Sequence, residues 1–192
     1  MLPTIWNYNE VYEFKVVDSL ATEPRFKELV DTVLGGAPPW EQLLSDEEKS
    51  RHEQLKANAK SAISLRIGVY SESKLIGFTY AYQSEGSNLH MAISCVDPNH
   101  QRRGIYSELL RAVLEFSKAH GFQTVDSHHR STNNPVIIAK LRKGFVINGF
   151  SVSDIMGCLV QLTFYNHPER RKLIDVRSGL TRPDGLVRDL FF

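Results

Sequence analysis

A chain of 192 residues, 42% hydrophobic and 23% charged, has the profile of an ordinary globular protein with room for one domain and an appendage. Its 23 lysines and arginines face 22 acids, a formal net charge of +1, so no global field recruits nucleic acid and any anion site must be local. No apolar run reaches membrane-spanning length, and Met1 to Glu10 lacks the basic start and apolar core of a secretory signal.

In chain order, Val11 to Val17 alternates as a first strand. Phe26, Leu29, Val30, Val33 and Leu34 recur at helical spacing within Glu23 to Leu34, and Gly35-Gly36 stops that helix. Pro38-Pro39 makes a turn. Ser45 to Lys60 reads as an exposed helix opened by a capping box of Ser45 and Glu48. Leu65 to Tyr70 and Leu75 to Tyr82 form a hairpin across Ser71 to Lys74, and Leu89 to Val96 is a further strand. From Gly104 the pattern turns helical, with Ile105, Leu109, Val113 and Phe116 on one face and a glycine cap at Gly121. Gln123 to His128 is a short strand. Asn133 to Leu141 is a helix ended by Gly144, and Phe145 to Val152 with Ile155 to Tyr165 make a last hairpin. Adjacent strands imply antiparallel pairs, and the strand-helix-strand unit around Gly104 implies one parallel pairing. The fold class is therefore α/β in the mixed α+β sense.

The informative stretch is Cys95 to Ser107. A strand ends, a tight loop follows, and a helix starts at a glycine. The first turn of a helix leaves amide N–H groups without intrahelical partners, and its dipole favours negative charge there. Gly104 allows close backbone approach, and Arg102 and Arg103 add charge at the rim. This much specifies an anion at a helix N-terminus without naming the anion. Neither a Walker A pattern nor G-x-G-x-x-G occurs.

Gln101-Arg102-Arg103-Gly104 after Val96-Asp97-Pro98 resembles the coenzyme A pyrophosphate motif of the GNAT acetyltransferase superfamily, Gln/Arg-x-x-Gly-x-Gly/Ala. The sequence departs from it at Tyr106, where the family has Gly or Ala; the tyrosine amide still donates, and its side chain is expected to point outward. Asn133 to Phe145, ending Lys143-Gly144-Phe145, resembles the family's Asn-led helix, and the order of elements from Val11 to Tyr165 matches as well. The resemblance implies a GNAT domain over residues 1–166, with a mixed, mostly antiparallel sheet, a central splayed parallel strand pair and flanking helices. It also implies acetyl-CoA as cosubstrate, a primary amine of a small molecule or protein as acceptor, and no metal. Coenzyme would contact Cys95, Val96, Gln101, Arg102, Arg103, Gly104, Ile105, Tyr106, Ser107 and Asn133, and Asn133 would also cap its helix.

The resemblance further implies direct attack of the amine on the thioester, with a backbone N–H near Cys95 and Val96 steadying the oxyanion. Independently of the resemblance, Cys95 and Cys158 lie in apolar, strand-like surroundings and read as reduced core thiols of a cytoplasmic protein. Several family members carry an acid or histidine six residues before the strand-end valine, which here is His90. It reads equally as a general base or as a hydrogen-bonded strand histidine. Strand alternation would put His90, Ala92, Ser94 and Val96 on one face. The family's usual acid, a tyrosine seven residues after the leading asparagine, is replaced by Lys140. That lysine reads as a proton donor, a phosphate contact or, in preference, a solvated helix lysine.

His128 and His129 beside Asp126 suggest a metal only superficially, because adjacent strand residues face opposite ways. His100 touches phosphate or merely makes the turn, and Trp40, Tyr80 and Tyr82 are acceptor-pocket or core aromatics. Arg170 to Lys172 is a solvated charge run. The extension 167–192 is too apolar for a free tail and is expected to pack on the domain or across a homodimer. Two functions follow: an N-acetyltransferase, or a non-catalytic acyl-CoA-binding and sensing module of the same fold. Partners from nucleic acid or membrane are not expected.

Overall fold

The computed structural model describes residues 2–35, 42, 44–51 and 63–191. The Pro38-Pro39 turn, Trp40 and the second part of the Ser45–Lys60 helix lie outside the described residues. Two strands open the chain, β1 (Ile5–Tyr8) and β2 (Tyr12–Val16), paired antiparallel. The expected first strand is β2 with its ends trimmed, and β1 is an addition. Asn9 and Glu10 turn the chain at φ 50° and 57°. Without a glycine to mark left-handed backbone, that turn carries little sequence signal.

Helix α1 (Phe26–Leu34) ends as expected at Gly35, whose φ is 78° and whose amide bonds the Asp31 carbonyl. Residues 46–51 are helical, and the capping box forms: the Glu48 amide donates to Ser45 Oγ at 3.3 Å and the Ser45 amide to the Glu48 carboxylate at 2.8 Å. Then follow the hairpin of β3 (Ser64–Ser71) and β4 (Lys74–Gln83), β5 (Asn88–Val96), α2 (Ile105–Ala119), β6 (Thr124–Arg130), α3 (Asn134–Arg142), and the hairpin of β7 (Val146–Ser153) and β8 (Gly157–Tyr165). The extension forms two helices, α4 (Pro168–Arg177) and α5 (Gly185–Phe191). The first packs on β8 and the second on the first, with Val187 fully buried.

The described strands make one eight-stranded sheet in the order β1-β2-β3-β4-β5-β6-β8-β7. Its one parallel step is β5–β6, as the α2 crossover requires. Helices α2 and α3 cover one face through Leu109, Leu110, Val113 and Ile137 against Leu65, Ile67, Leu89 and Val125. Helix α1 covers the other through Leu29 against Leu75, Phe78 and Cys95. Each fully buried Leu or Val contributes about 1.5–3 kcal/mol of transfer free energy.

Two irregularities position the site. Tyr80 pairs with Ile93 but Ala81 with Met91, so Ala92 is an extra residue in β5. This bulge overturns the expected shared face of His90, Ala92, Ser94 and Val96. His90 lies beside Tyr82 on the α1 face, while Ser94 and Val96 lie on the α2–α3 face. The second irregularity is that β5 and β6 pair only over Asn88–Thr124, Leu89–Val125 and His90–Asp126 and then separate, which is the splay expected of the central pair.

Candidate active site

The loop after β5 is built by its own side chains. Asp97 Oδ1 accepts the Asn99 amide at 2.9 Å, and its Oδ2 accepts Arg25 Nη2 at 3.0 Å. Burial pushes the Asp97 carboxyl up, but the Asn99 amide and Arg25 outweigh it and hold its pKa below the usual carboxylate range. Gln101 Nε2 donates to the Val96 carbonyl at 3.1 Å and closes the loop. Arg102 and Gly104 then take φ of 61° and 84°, and α2 starts at Gly104. A Cβ on Gly104 would lie 2.2 Å from the Tyr8 hydroxyl, so both conformation and space demand glycine there.

In front of this turn lies a cleft of about 380 Å³. It is lined by Val96, Gln101, Arg102, Gly104, Ile105, Tyr106 and Ser107 and, across it, by Asn133, Val136 and Ala139. The free amides of the first α2 turn and the Arg102 guanidinium give one end an anion-binding character. The diverging edges of β5 and β6 provide unpaired backbone at the other. A larger polar hollow of about 480 Å³ lies behind the loop, but its Arg25 is already paired with Glu28 and Asp97. The front cleft is therefore the better ligand site.

Four expectations are corrected: the Arg103 contact, the Asn133 cap, the outward Tyr106 and the Cys158 core thiol. Cys95 is buried on the α1 face, its thiol hydrogen-bonded to the Leu29 carbonyl at 3.4 Å and pushed up to about 12 by burial, so only its backbone is left for a ligand in the cleft. Arg103 turns away from the cleft and donates to the Tyr12 hydroxyl at 3.2 Å. Asn133 stands at the α3 N-cap but makes no side-chain capping bond, and it lines the cleft. Tyr106 does not point outward. Its hydroxyl is buried without a partner among the described residues, and burial raises its pKa above the ordinary tyrosine range. Of the two cysteines, Cys158 is exposed rather than part of the core.

On the opposite face, at the last paired step of β5 and β6, His90 Nδ1 lies 3.0 Å from Asp126 Oδ2. Asn88 Nδ2 holds the other carboxylate oxygen at 2.5 Å, and His128 stands 3.7 Å from Oδ2. Burial pushes Asp126 up, but the hydrogen bonds from His90 and Asn88 and the neighbouring histidines hold its pKa below its ordinary value. An ionised carboxylate only accepts, so in the neutral form of the His90 ring the proton sits on Nδ1 and Nε2 keeps its lone pair. The imidazole stands edge-on to Tyr82 and His128, with ring centroids 5.4 and 5.3 Å away. His129 falls on the other face, against Ser127 Oγ at 3.1 Å, as strand alternation predicts.

The preferred reading of Lys140 as solvated is wrong. It is fully buried, while Ile138 and Leu141 on the same helix are 47% and 41% exposed. Its Nζ donates to Ser127 Oγ at 2.5 Å and to Met91 Sδ at 3.3 Å, and lies 4.7 Å from the Phe145 ring centroid. Met91 and Ser127 are the first residues past the last β5–β6 pair, so the lysine sits in the crotch of the fork. Burial pushes its pKa down to about 7, against an upward pull from Asp126. His129 is pushed down to about 3 by burial first and by Lys140 next. The Asp126 and Ser127 partnerships were not legible, because which strand residues meet across a splay depends on register.

A sequence model described as Acetyltransferase (GNAT) family matches residues 26–145, more than half of the chain. The chain belongs to the GNAT acetyltransferase family. The GNAT fold is also that of its structural neighbours. The ribosomal-protein-S5-alanine acetyltransferase from Vibrio fischeri aligns with a TM-score of 0.64 and 15% identity over 86% of this chain and 98% of its own. The ribosomal-protein-S18-alanine N-acetyltransferase from Escherichia coli aligns at 0.60 and 17% over 80% and 93%. A GNAT family acetyltransferase from Elizabethkingia anophelis with acetyl-CoA bound aligns at 0.59 and 12% over 82% and 99%. No curated protein matches the chain by sequence. Among the described residues, no helix of this GNAT chain is long and apolar enough to cross a membrane.

Proposed function

We propose that this GNAT protein is an N-acetyltransferase that binds acetyl-CoA in the α2–α3 cleft and acetylates a primary amine presented on the α1 face. The observation that carries this reading is the position of the His90–Asp126 pair. It sits at the fork of β5 and β6, across the sheet from the cleft that ends in the Gly104 turn. The residues present fit the coenzyme: first-turn amides and Arg102 for the pyrophosphate, Asn133 and the open β5 edge for the pantetheine arm. When bound, acetyl-CoA supplies the activated acyl group.

The chain's own part is then clear. Asp126 orients His90, and Nε2 takes the proton from the attacking amine, directly or through water. A backbone N–H at the open β5 edge near Val96 steadies the developing oxyanion. Lys140, with a pKa near 7, is the proton donor to the departing thiolate. The free thiols Cys95 and Cys158 suit a reducing compartment, and we assign the protein to the cytoplasm.

A second reading has one specific observation in its favour: Lys140, where the family usually has its tyrosine acid, is locked in place by Ser127 and Met91. It makes the protein a non-catalytic acyl-CoA sensor. Thermal unfolding with and without excess acetyl-CoA, with Gly104→Trp as control, tests both. A ligand that binds only the folded state raises the apparent Tm. The expected result is an upward shift lost in the control, followed by acetyl-CoA-dependent turnover in an amine screen that His90→Ala abolishes. A shift with no turnover on any amine class supports the sensor, and no shift at millimolar coenzyme overturns both.

A further inference from the structure

The first hairpin, which precedes the matched family region, touches the cradle at three successive points. The Trp6 indole donates to Glu108 Oε1 at 2.7 Å, one turn into α2. The Tyr8 hydroxyl lies 2.2 Å from where a Gly104 Cβ would be. The Tyr12 hydroxyl accepts Arg103 Nη1 at 3.2 Å and lies 3.4 Å from His100 Nδ1, the two rings meeting edge-on at 5.8 Å. None of Trp6, Tyr8 and Tyr12 lines the cleft.

We infer that the β1–β2 hairpin is a brace that sets the phosphate loop from behind, with Tyr12 and Arg103 as positioning residues for the coenzyme's pyrophosphate. The inference rests on the coenzyme-binding reading above. The loop needs such a brace for a physical reason. Arg102 and Gly104 both hold left-handed backbone, and a non-glycine residue at φ 61° relaxes unless its neighbours fix it. Arg103 stands between them, and its bond to Tyr12 fixes the peptide on either side. A fully buried Tyr12 ring, 3% exposed, makes the anchor rigid. Arg103 therefore acts on the anion through the loop and not by its own charge, unlike Arg102, which faces the cleft.

The test is a double-mutant cycle on the full chain, read as Kd by calorimetry for coenzyme A and for inorganic pyrophosphate. Tyr12→Phe keeps the ring and removes the hydroxyl. It is expected to weaken both ligands about five- to tenfold, the effect of losing the Arg103 hydrogen bond, with the Tm held within a few degrees. Arg103→Ala is expected to weaken them by a similar factor, and the double variant no further than Tyr12→Phe alone, because the Arg103–Tyr12 bond is lost in every case and the longer His100 contact goes with the hydroxyl. Trp6→Phe, which keeps a ring against Phe14 and removes the indole N–H bond to Glu108, provides a second probe and should weaken pyrophosphate in the same direction. Additive losses in the cycle would mean that Arg103 binds the anion itself, and unchanged affinities in a folded Tyr12→Phe protein would mean that the hairpin is a bystander; either overturns the brace while leaving coenzyme binding intact. A wild type that binds neither probe overturns the coenzyme reading and the brace together.

Discussion

His90 and Asp126 form the last paired step between β5 and β6, and their 3.0 Å contact closes the fork on the α1 face as Lys140 closes it on the other. The same divergence that opens a channel for a thioester arm therefore brings a histidine with a defined tautomer to one side and a desolvated amine to the other. Asp126→Asn should expose the first of these roles. An asparagine amide can donate to Nδ1, which moves the proton to Nε2 and removes the lone pair. We expect kcat to fall about 10²- to 10⁴-fold, as for loss of a general base, with the Kd for coenzyme A unchanged. A kcat within twofold of wild type would leave His90 as a hydrogen-bonded strand histidine and nothing more.

Lys140 and His129 should imprint the pH dependence of folding. Both pKa values are lowered in the folded state, Lys140 from 10.5 to about 7 and His129 from 6.5 to about 3. The unfolded chain binds more protons between about 7 and 10.5 for the lysine, and between about 3 and 6.5 for the histidine. Stability should thus rise with pH across both windows, and it should fall as acid protonates the unfolded His129. Lys140→Met removes the alkaline slope and His129→Phe the acid one. Urea midpoints measured from pH 4 to pH 10 check this; equal slopes in wild type and Lys140→Met would mean that the lysine is solvated after all.

The inversion on α3 explains why that lysine reads as solvated from sequence alone. Hydrophobicity alone turns Ile138 and Leu141 inward and Lys140 outward, yet the helix does the reverse. Its inner side meets a fork, where Ser127 Oγ and Met91 Sδ offer acceptors, and not a closed apolar sheet. The β3–β4 hairpin, the Gly35 stop and the Gly104 start were legible because short polar breaks and glycines carry local backbone demands. The Ala92 bulge was not, since a bulge is a property of two strands together, and it moved Ser94 and Val96 to the face opposite His90.

Tyr106 stands where the family has a small residue, and its hydroxyl is buried without a partner among the described residues. A desolvated hydroxyl that makes no bond costs about 1–3 kcal/mol. Tyr106→Phe should therefore raise the Tm, by a few degrees for a chain of this size. A fall in Tm would show that the hydroxyl holds a partner, and a water bridging it to the α2–α3 cleft would be the first to seek.

Beyond the matched region, α5 contributes, among the side chains described, one that is fully buried, Val187, while Leu186 and Leu190 stay 51% and 65% exposed. We propose that the extension serves the domain through Val187 and a second copy through the exposed pair. Val187→Asp, which buries an unpaired carboxylate, should lower the Tm by destabilising the docking of α5 on α4. Leu186→Ser with Leu190→Ser should leave the Tm of a monomer unchanged but shift a dimer toward smaller species. Sedimentation velocity separates the two effects. Identical profiles for wild type and the double serine variant would confine the role of α5 to its own chain.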